Sequence, residues 1–154
     1  AAVHVAQAGE TIDLGDGARL DILSAGGAAG GNDASIVARL TYGRFSLLLT
    51  GDAEAATETA LLTGGRPLTS LVLKAGHHGA NTSSGEAFLR AVAPQAIVIS
   101  VGADNRYGHP APAMLARAAA VGATVLRTDE VGTIEVSSDG ARVWWEVEKG
   151  GDGP

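Results

Sequence analysis

The chain has 154 residues, 45% of them apolar and 18% charged, a balance that excludes a disordered segment and suits one domain of ordinary size. It contains no cysteine, which excludes disulfides, zinc fingers, thiolate metal sites and cysteine nucleophiles. Its formal charge of −6 excludes a basic nucleic-acid footprint over the chain as a whole, and no apolar run approaches the roughly 20 residues that cross a bilayer.

The N-terminal stretch has no basic region leading into an apolar block, so a secretory signal is not expected there. Ala2 to Ala6, Thr11 to Leu14 and Arg19 to Leu23 alternate as strands do, with Gly15-Asp16-Gly17 as a turn signal between the last two. Ala25 to Asn32 is mostly Gly and Ala, and reads as a mobile loop with nothing to pack. Two strands follow, Ser35 to Tyr42 and Arg44 to Thr50, joined tightly at Gly43. The second is nearly all apolar, the pattern of a strand covered on both faces.

From there strands and helices alternate. Ala53 to Leu62 is rich in good helix formers and is closed by Gly64-Gly65. Leu71 to Lys74 reads as a buried strand. Ser83 and Glu86 have capping-box spacing for a helix running to about Val92. Ala96 to Val101 is a further strand, and Pro112 suits the first turn of a helix that ends near Val121, with Gly122 just past it. Strands are predicted at Thr124 to Arg127, Gly132 to Val136 and Arg142 to Val147, and residues 150–154 form a flexible tail. The fold class expected is α/β, a layered domain with helices on one side of a mixed sheet.

Polar residues of catalytic type collect where predicted strands end. Asp52 follows one strand, His77 and His78 the next, and Asp104, Asn105, Arg106, Tyr107 and His109 the one after. In a parallel sheet those carboxyl ends share one edge, where ligand crevices form. Each group has an ordinary alternative. Asp52 suits the N-cap of the helix that follows it, the histidine pair a polar turn, and His109 loop punctuation before Pro110. The alternatives lose force together, because they must coincide on one edge. Carboxylate and imidazole are also the ligands that zinc and manganese accept where thiolates are missing. Adjacent histidines on extended backbone point to opposite sides, so one ring would bind metal and the other would serve the substrate as a proton or hydrogen-bond donor.

Four stretches in order, Leu49-Thr50-Gly51-Asp52, Lys74-Ala75-Gly76-His77-His78-Gly79, Ile99 through Tyr107-Gly108-His109-Pro110, and Arg127 to Ile134, resemble the metallo-β-lactamase-like domain of the ComEC family of DNA-internalization competence proteins. Asn32 to Val37 resembles the segment just before that family's Gly-Asp motif. The likeness covers nearly all of residues 10–147. It implies the second half of an αββα metallo-β-lactamase-like fold, with residues 1–149 as a partial domain.

By that resemblance Asp52 and His78 are metal ligands, with His77 the substrate-facing partner, or the two histidines in reversed order. His77 and His109 take the catalytic places, Glu54 orients its neighbours, and Asn105, Arg106 and Tyr107 contact substrate. Ala80 departs from the family, which often has Ser there. The family's His-x-His-x-Asp-His motif has no counterpart: the remaining histidine, His4, stands alone. The resemblance therefore implies a fragment, inactive by itself, of a phosphodiesterase that uses divalent zinc or manganese on DNA during uptake.

Its partners would be DNA, the missing N-terminal half of the same domain and a second copy of the chain. The parent would sit in the cytoplasmic membrane with this domain on the outer face, extracellular or periplasmic, while this chain is soluble and inserts nothing. Two other readings stand beside it: hydrolysis of small or choline phosphoesters, and a non-catalytic assembly module.

Overall fold

The computed structural model describes residues 3–26 and 30–149, so the predicted tail and the middle of the predicted mobile loop lie outside it. The first four strands form an antiparallel meander: β1 (Thr11–Gly15), β2 (Ala18–Ser24), β3 (Val37–Tyr42) and β4 (Phe45–Leu49). Thereafter the pairing is parallel, through β5 (Val72–Lys74), β6 (Ala96–Ile99) and β7 (Thr124–Arg127). Spatial order in this seven-stranded sheet follows chain order. The α/β expectation of a mixed sheet is met.

Three helices make the crossovers: α1 (Ala55–Thr63), α2 (Glu86–Val92) and α3 (Pro112–Ala120). Each crossover advances the sheet in the same direction, and crossovers of one hand place all three helices on one face. The register shows which side chains meet them. Leu48, Leu73, Ile97 and Val125 lie in one row across β4 to β7. That row joins Phe88, Leu89, Val92, Met114 and Leu61 in a single core whose central members are fully buried. On the other face Leu47 is half-buried and Leu49 exposed, so β4 is covered on one face and only partly on the other. That corrects the reading of β4 as a strand covered on both sides.

A one-turn helix, α4 (Thr128–Val131), was not foreseen, and leads into a separate hairpin of β8 (Ile134–Ser138) and β9 (Val143–Val147). The hairpin's turn hooks onto the turn between β3 and β4, where the Arg44 amide donates to the Gly140 carbonyl at 2.6 Å. Gly43 makes this approach possible, since a Cβ there would meet Gly140 backbone.

Other expectations need correction. Residues 3–6 form no strand, because Val3 and Val5 stay exposed and ladder pairing with β2 begins only at Gly9 and Glu10. The end of the predicted mobile loop is a 3-10 turn over Gly31–Ala34. The predicted capping box does not form: Ser83 donates to the Gly76 and Ala80 carbonyls, while α2 starts after Gly85. The amides of Ser84 and Gly85, which lead into α2, go instead to the Glu58 carboxylate on α1.

Candidate active site at the carboxyl edge of β4 to β6

Because β4, β5 and β6 are parallel neighbours, the turns that follow them lie side by side. The first turn carries Asp52, whose amide donates to Ser35 Oγ at 3.0 Å. Gly51 has φ +55°, and a Cβ there would press on Ser35 at 3.0 Å. The next turn, Gly76–Gly79, lies against the first. The His77 amide donates to the Gly51 carbonyl at 3.1 Å, and a Cβ on Gly76 would stand 2.8 Å from the Ala53 carbonyl. Backbone meets backbone here, which only glycine permits.

Both histidines adopt left-handed backbone, His77 at φ 45° and His78 at φ 55°. This corrects the expectation of an extended pair. Left-handed backbone costs a non-glycine residue roughly 1–2 kcal/mol, so two in succession persist only where their surroundings hold them. Each ring is held through Nδ1. The His78 Nδ1 donates to the Ser100 carbonyl at 2.7 Å, which leaves Nε2 with its lone pair, 3.6 Å from Asp52 Oδ1. The His77 Nδ1 pairs with Glu54 Oε1 at 2.7 Å, so its Nε2 is also turned outward. The rings do not lie on opposite sides as an extended pair would place them: they are edge-to-face neighbours, centroids 6.4 Å apart at 62°.

Glu54 is more than a neighbour of this pair. Its Oε1 also accepts from Thr82 Oγ1 at 2.9 Å and from Asn32 Nδ2 at 3.2 Å. The Thr82 hydroxyl first, then Asn32 and His77, hold this carboxyl below its ordinary range. Asp33, beside Asn32, accepts from the amides of Glu54 and Thr57, both at 3.1 Å, and from the Thr57 hydroxyl at 2.8 Å. Asp33 therefore caps α1 in the place an N-capping Asp52 would take. Asn32, Asp33, Ser35 and Thr82 went unnoticed as site residues. A run such as Asn32-Asp33-Ala34-Ser35, rich in residues whose side chains bind nearby backbone, is the signal that could have found three of them.

His109 closes the cluster. Its ring lies edge-on to His77 with centroids 5.6 Å apart, and Tyr107 stacks on it at 6.0 Å and 18°. Burial first, then the neighbouring His77 and His78, push His109 below the usual imidazole range, and its Nδ1 is buried with no hydrogen-bond partner. Asn105 is spent inside its own loop: it donates to the carbonyls of Gly102 at 3.0 Å and His109 at 2.7 Å, and accepts from the His109 amide at 3.0 Å. Arg106 and Tyr107 are exposed, Tyr107 to 83%. His78, Val101, Gly102, Asn105, Tyr107 and His109 line a slot of about 200 Å³.

Among the described residues no three acidic or histidine side chains converge as a complete ligand set. The pair Asp52 and His78 does fit a share of one. Two ligands on one zinc, each roughly 2.0–2.1 Å from it, lie a little over 3 Å apart. Asp52 Oδ1 and His78 Nε2 come close to that at 3.6 Å. Donation of the other ring nitrogen to a carbonyl is the usual support of a metal-binding histidine. Lys74, at the end of β5, adds positive charge beneath Asp52; burial lowers its ammonium below the ordinary range and the Asp52 charge opposes that.

No family profile matches the chain. Over 105 residues, 68% of the chain, it is 44% identical to competence protein ComA of Neisseria gonorrhoeae. Over 104 residues, again 68%, it is 38% identical to ComE operon protein 3 of Bacillus subtilis. Over 107 residues, 69%, it is 36% identical to recombination protein 2 of Haemophilus influenzae. These proteins are its homologues, and the matched stretch is 13–15% of their length.

Proposed function

We propose that the chain is the carboxyl-terminal part of a metallo-β-lactamase-like domain that cleaves phosphodiesters of DNA during uptake for competence. The observation that carries this reading is the double left-handed turn at His77 and His78, with each Nδ1 anchored and the His78 Nε2 3.6 Å from Asp52 Oδ1. Homology to competence protein ComA of Neisseria gonorrhoeae supports the biological setting.

In this reading Asp52 and His78 hold a divalent ion, zinc or manganese, together with ligands from outside the chain. Such an ion supplies Lewis-acid activation of the phosphodiester and charge that a −6 chain lacks. The chain's own residues handle protons and position the substrate. Glu54 fixes His77 through Nδ1, so His77 in its imidazolium form, with a proton on each nitrogen, can deliver the Nε2 proton to the departing oxygen as water adds to phosphorus and the P–O bond breaks; the ring returns to the Nδ1–H form and the water's proton passes to solvent. Burial, and then the neighbouring His77 and His78, disfavour the charged form of His109, which packs edge-on against His77.

The longer protein would sit in the cytoplasmic membrane with this domain outside. Among the described residues no helix is long and apolar enough to cross a membrane.

Nuclease assays on the protein that carries this chain, with single-stranded DNA and manganese or zinc, test the proposal. Cleavage should fall at least a hundredfold in Asp52→Ala and vanish with chelator, while the isolated 154-residue chain should retain substoichiometric metal after desalting. Absence of any metal-dependent cleavage, or unchanged cleavage by Asp52→Ala, would overturn it.

A further inference from the structure

Gly102 has no evident reason to be glycine. Every other glycine in the described residues either adopts positive φ or would place a Cβ within 4 Å of another part of the fold. Gly102 does neither: its φ lies outside the left-handed region, and a Cβ there would meet nothing within 4 Å. Glycine costs more conformational entropy on folding than any other residue, and at this position the fold gains nothing for it. A missing side chain then serves whatever lies above it.

The space above Gly102 is the slot of about 200 Å³ beside His78 and His109. Its shape is held by Asn105, which clamps the Gly102 carbonyl to the His109 backbone through the three hydrogen bonds of that loop. On its rim Tyr107 is 83% exposed, although its ring is backed by a parallel imidazole. An aromatic ring backed by an imidazole and open to solvent is a stacking surface for a planar group. The flanking Arg106 is exposed and suits a phosphate next to that group.

We propose that this slot receives the nucleobase adjoining the scissile phosphate, with Gly102 as its bare floor and Tyr107 as its stacking partner. The inference rests on the phosphodiesterase reading for its choice of ligand. A choline headgroup fits less well, because quaternary ammonium is recognised by a cage of several aromatic faces and Tyr107 is the sole aromatic residue, apart from imidazoles, lining the slot.

The test is an amide NMR titration of the ¹⁵N-labelled 154-residue chain, without metal, with deoxyadenosine and thymidine 5′-monophosphates, using ribose 5-phosphate and phosphocholine as controls. Both nucleotides should shift Gly102 and Tyr107 saturably while the controls leave them in place. Gly102→Val should keep the remaining spectrum and weaken nucleotide binding at least tenfold, Gly102→Ala should weaken it less, and Tyr107→Ala should weaken it tenfold by itself.

Equal shifts with ribose 5-phosphate or phosphocholine, no shift at all, or undiminished nucleotide binding by Gly102→Val and Tyr107→Ala would each overturn the proposal. No hydrolysis is read, so failure of the phosphodiesterase proposal shows separately, in the nuclease assay.

Discussion

At His77 the proposed chemistry turns on which ring nitrogen carries the proton. Three donors converge on one oxygen of Glu54, and the arrangement keeps that carboxylate ionised and fixed opposite His77 Nδ1. Neutral His77 is therefore expected in the Nδ1–H form, against the preference of a free imidazole side chain for Nε2–H. Long-range ¹H–¹⁵N correlation at alkaline pH should show this form in the wild type and its loss in Glu54→Ala, with Glu54→Gln retaining part of it.

Asp33 makes a prediction about stability. Its carboxyl is lowered from 3.8, first by the Thr57 hydroxyl, so the stabilisation is fully present above 3.8 and is lost as pH falls through the lower folded value. Asp33→Ala should cost about 1 kcal/mol at pH 7 by urea unfolding, as loss of a helix cap does, and the difference from wild type should close in strong acid. Asp52, His77, His78 and Tyr107 were legible in the sequence because they follow apolar runs. Asn32 and Thr82 were not, because their partner, Glu54, lies 22 and 28 residues away.

Among the elements, those with a local signal matched their expected places within a few residues. Pro112 opens α3 and Gly122, at φ +74°, follows it, as the sequence implied. The start of α2 differs for a reason no local pattern could show: its cap is a carboxylate 26 and 27 residues upstream. Glu58 is 6% exposed, and burial pushes its carboxyl up while the two amides oppose that shift. Glu58→Ala should destabilise the fold by about 1–3 kcal/mol, the cost of leaving buried amides unpaired. Hydrogen exchange at Ser84 and Gly85 should accelerate in Glu58→Ala and stay slow in Ser83→Ala, the opposite of what a capping box would give.

For the whole molecule, net charge and site chemistry pull in different directions. A chain of charge −6 repels a polyanion at long range, so the DNA binding proposed above would have to be local, and strengthened by a cation. Fluorescence anisotropy of labelled single-stranded DNA should therefore show retention by the chain in chelator no stronger than its binding of a single nucleotide, and at least tenfold weaker than retention by the longer protein with manganese. Retention by the chain in chelator that falls steeply with added salt would reveal a basic surface that the composition does not suggest.

The change of pairing at β4 also sets an order in time. Strands β1 to β4 meet mostly through short connections, whereas each of β5, β6 and β7 must wait for a helical crossover to close before it pairs. The meander can therefore assemble early, while the turns bearing Asp52, His77, His78 and His109 come together only as the parallel half docks. The edge that carries these residues is thus among the last parts of the chain to be made. A pulse of hydrogen exchange during refolding would find the amides of β2 and β3 protected before that of His77, and a chain caught part-way would be folded in name yet chemically mute.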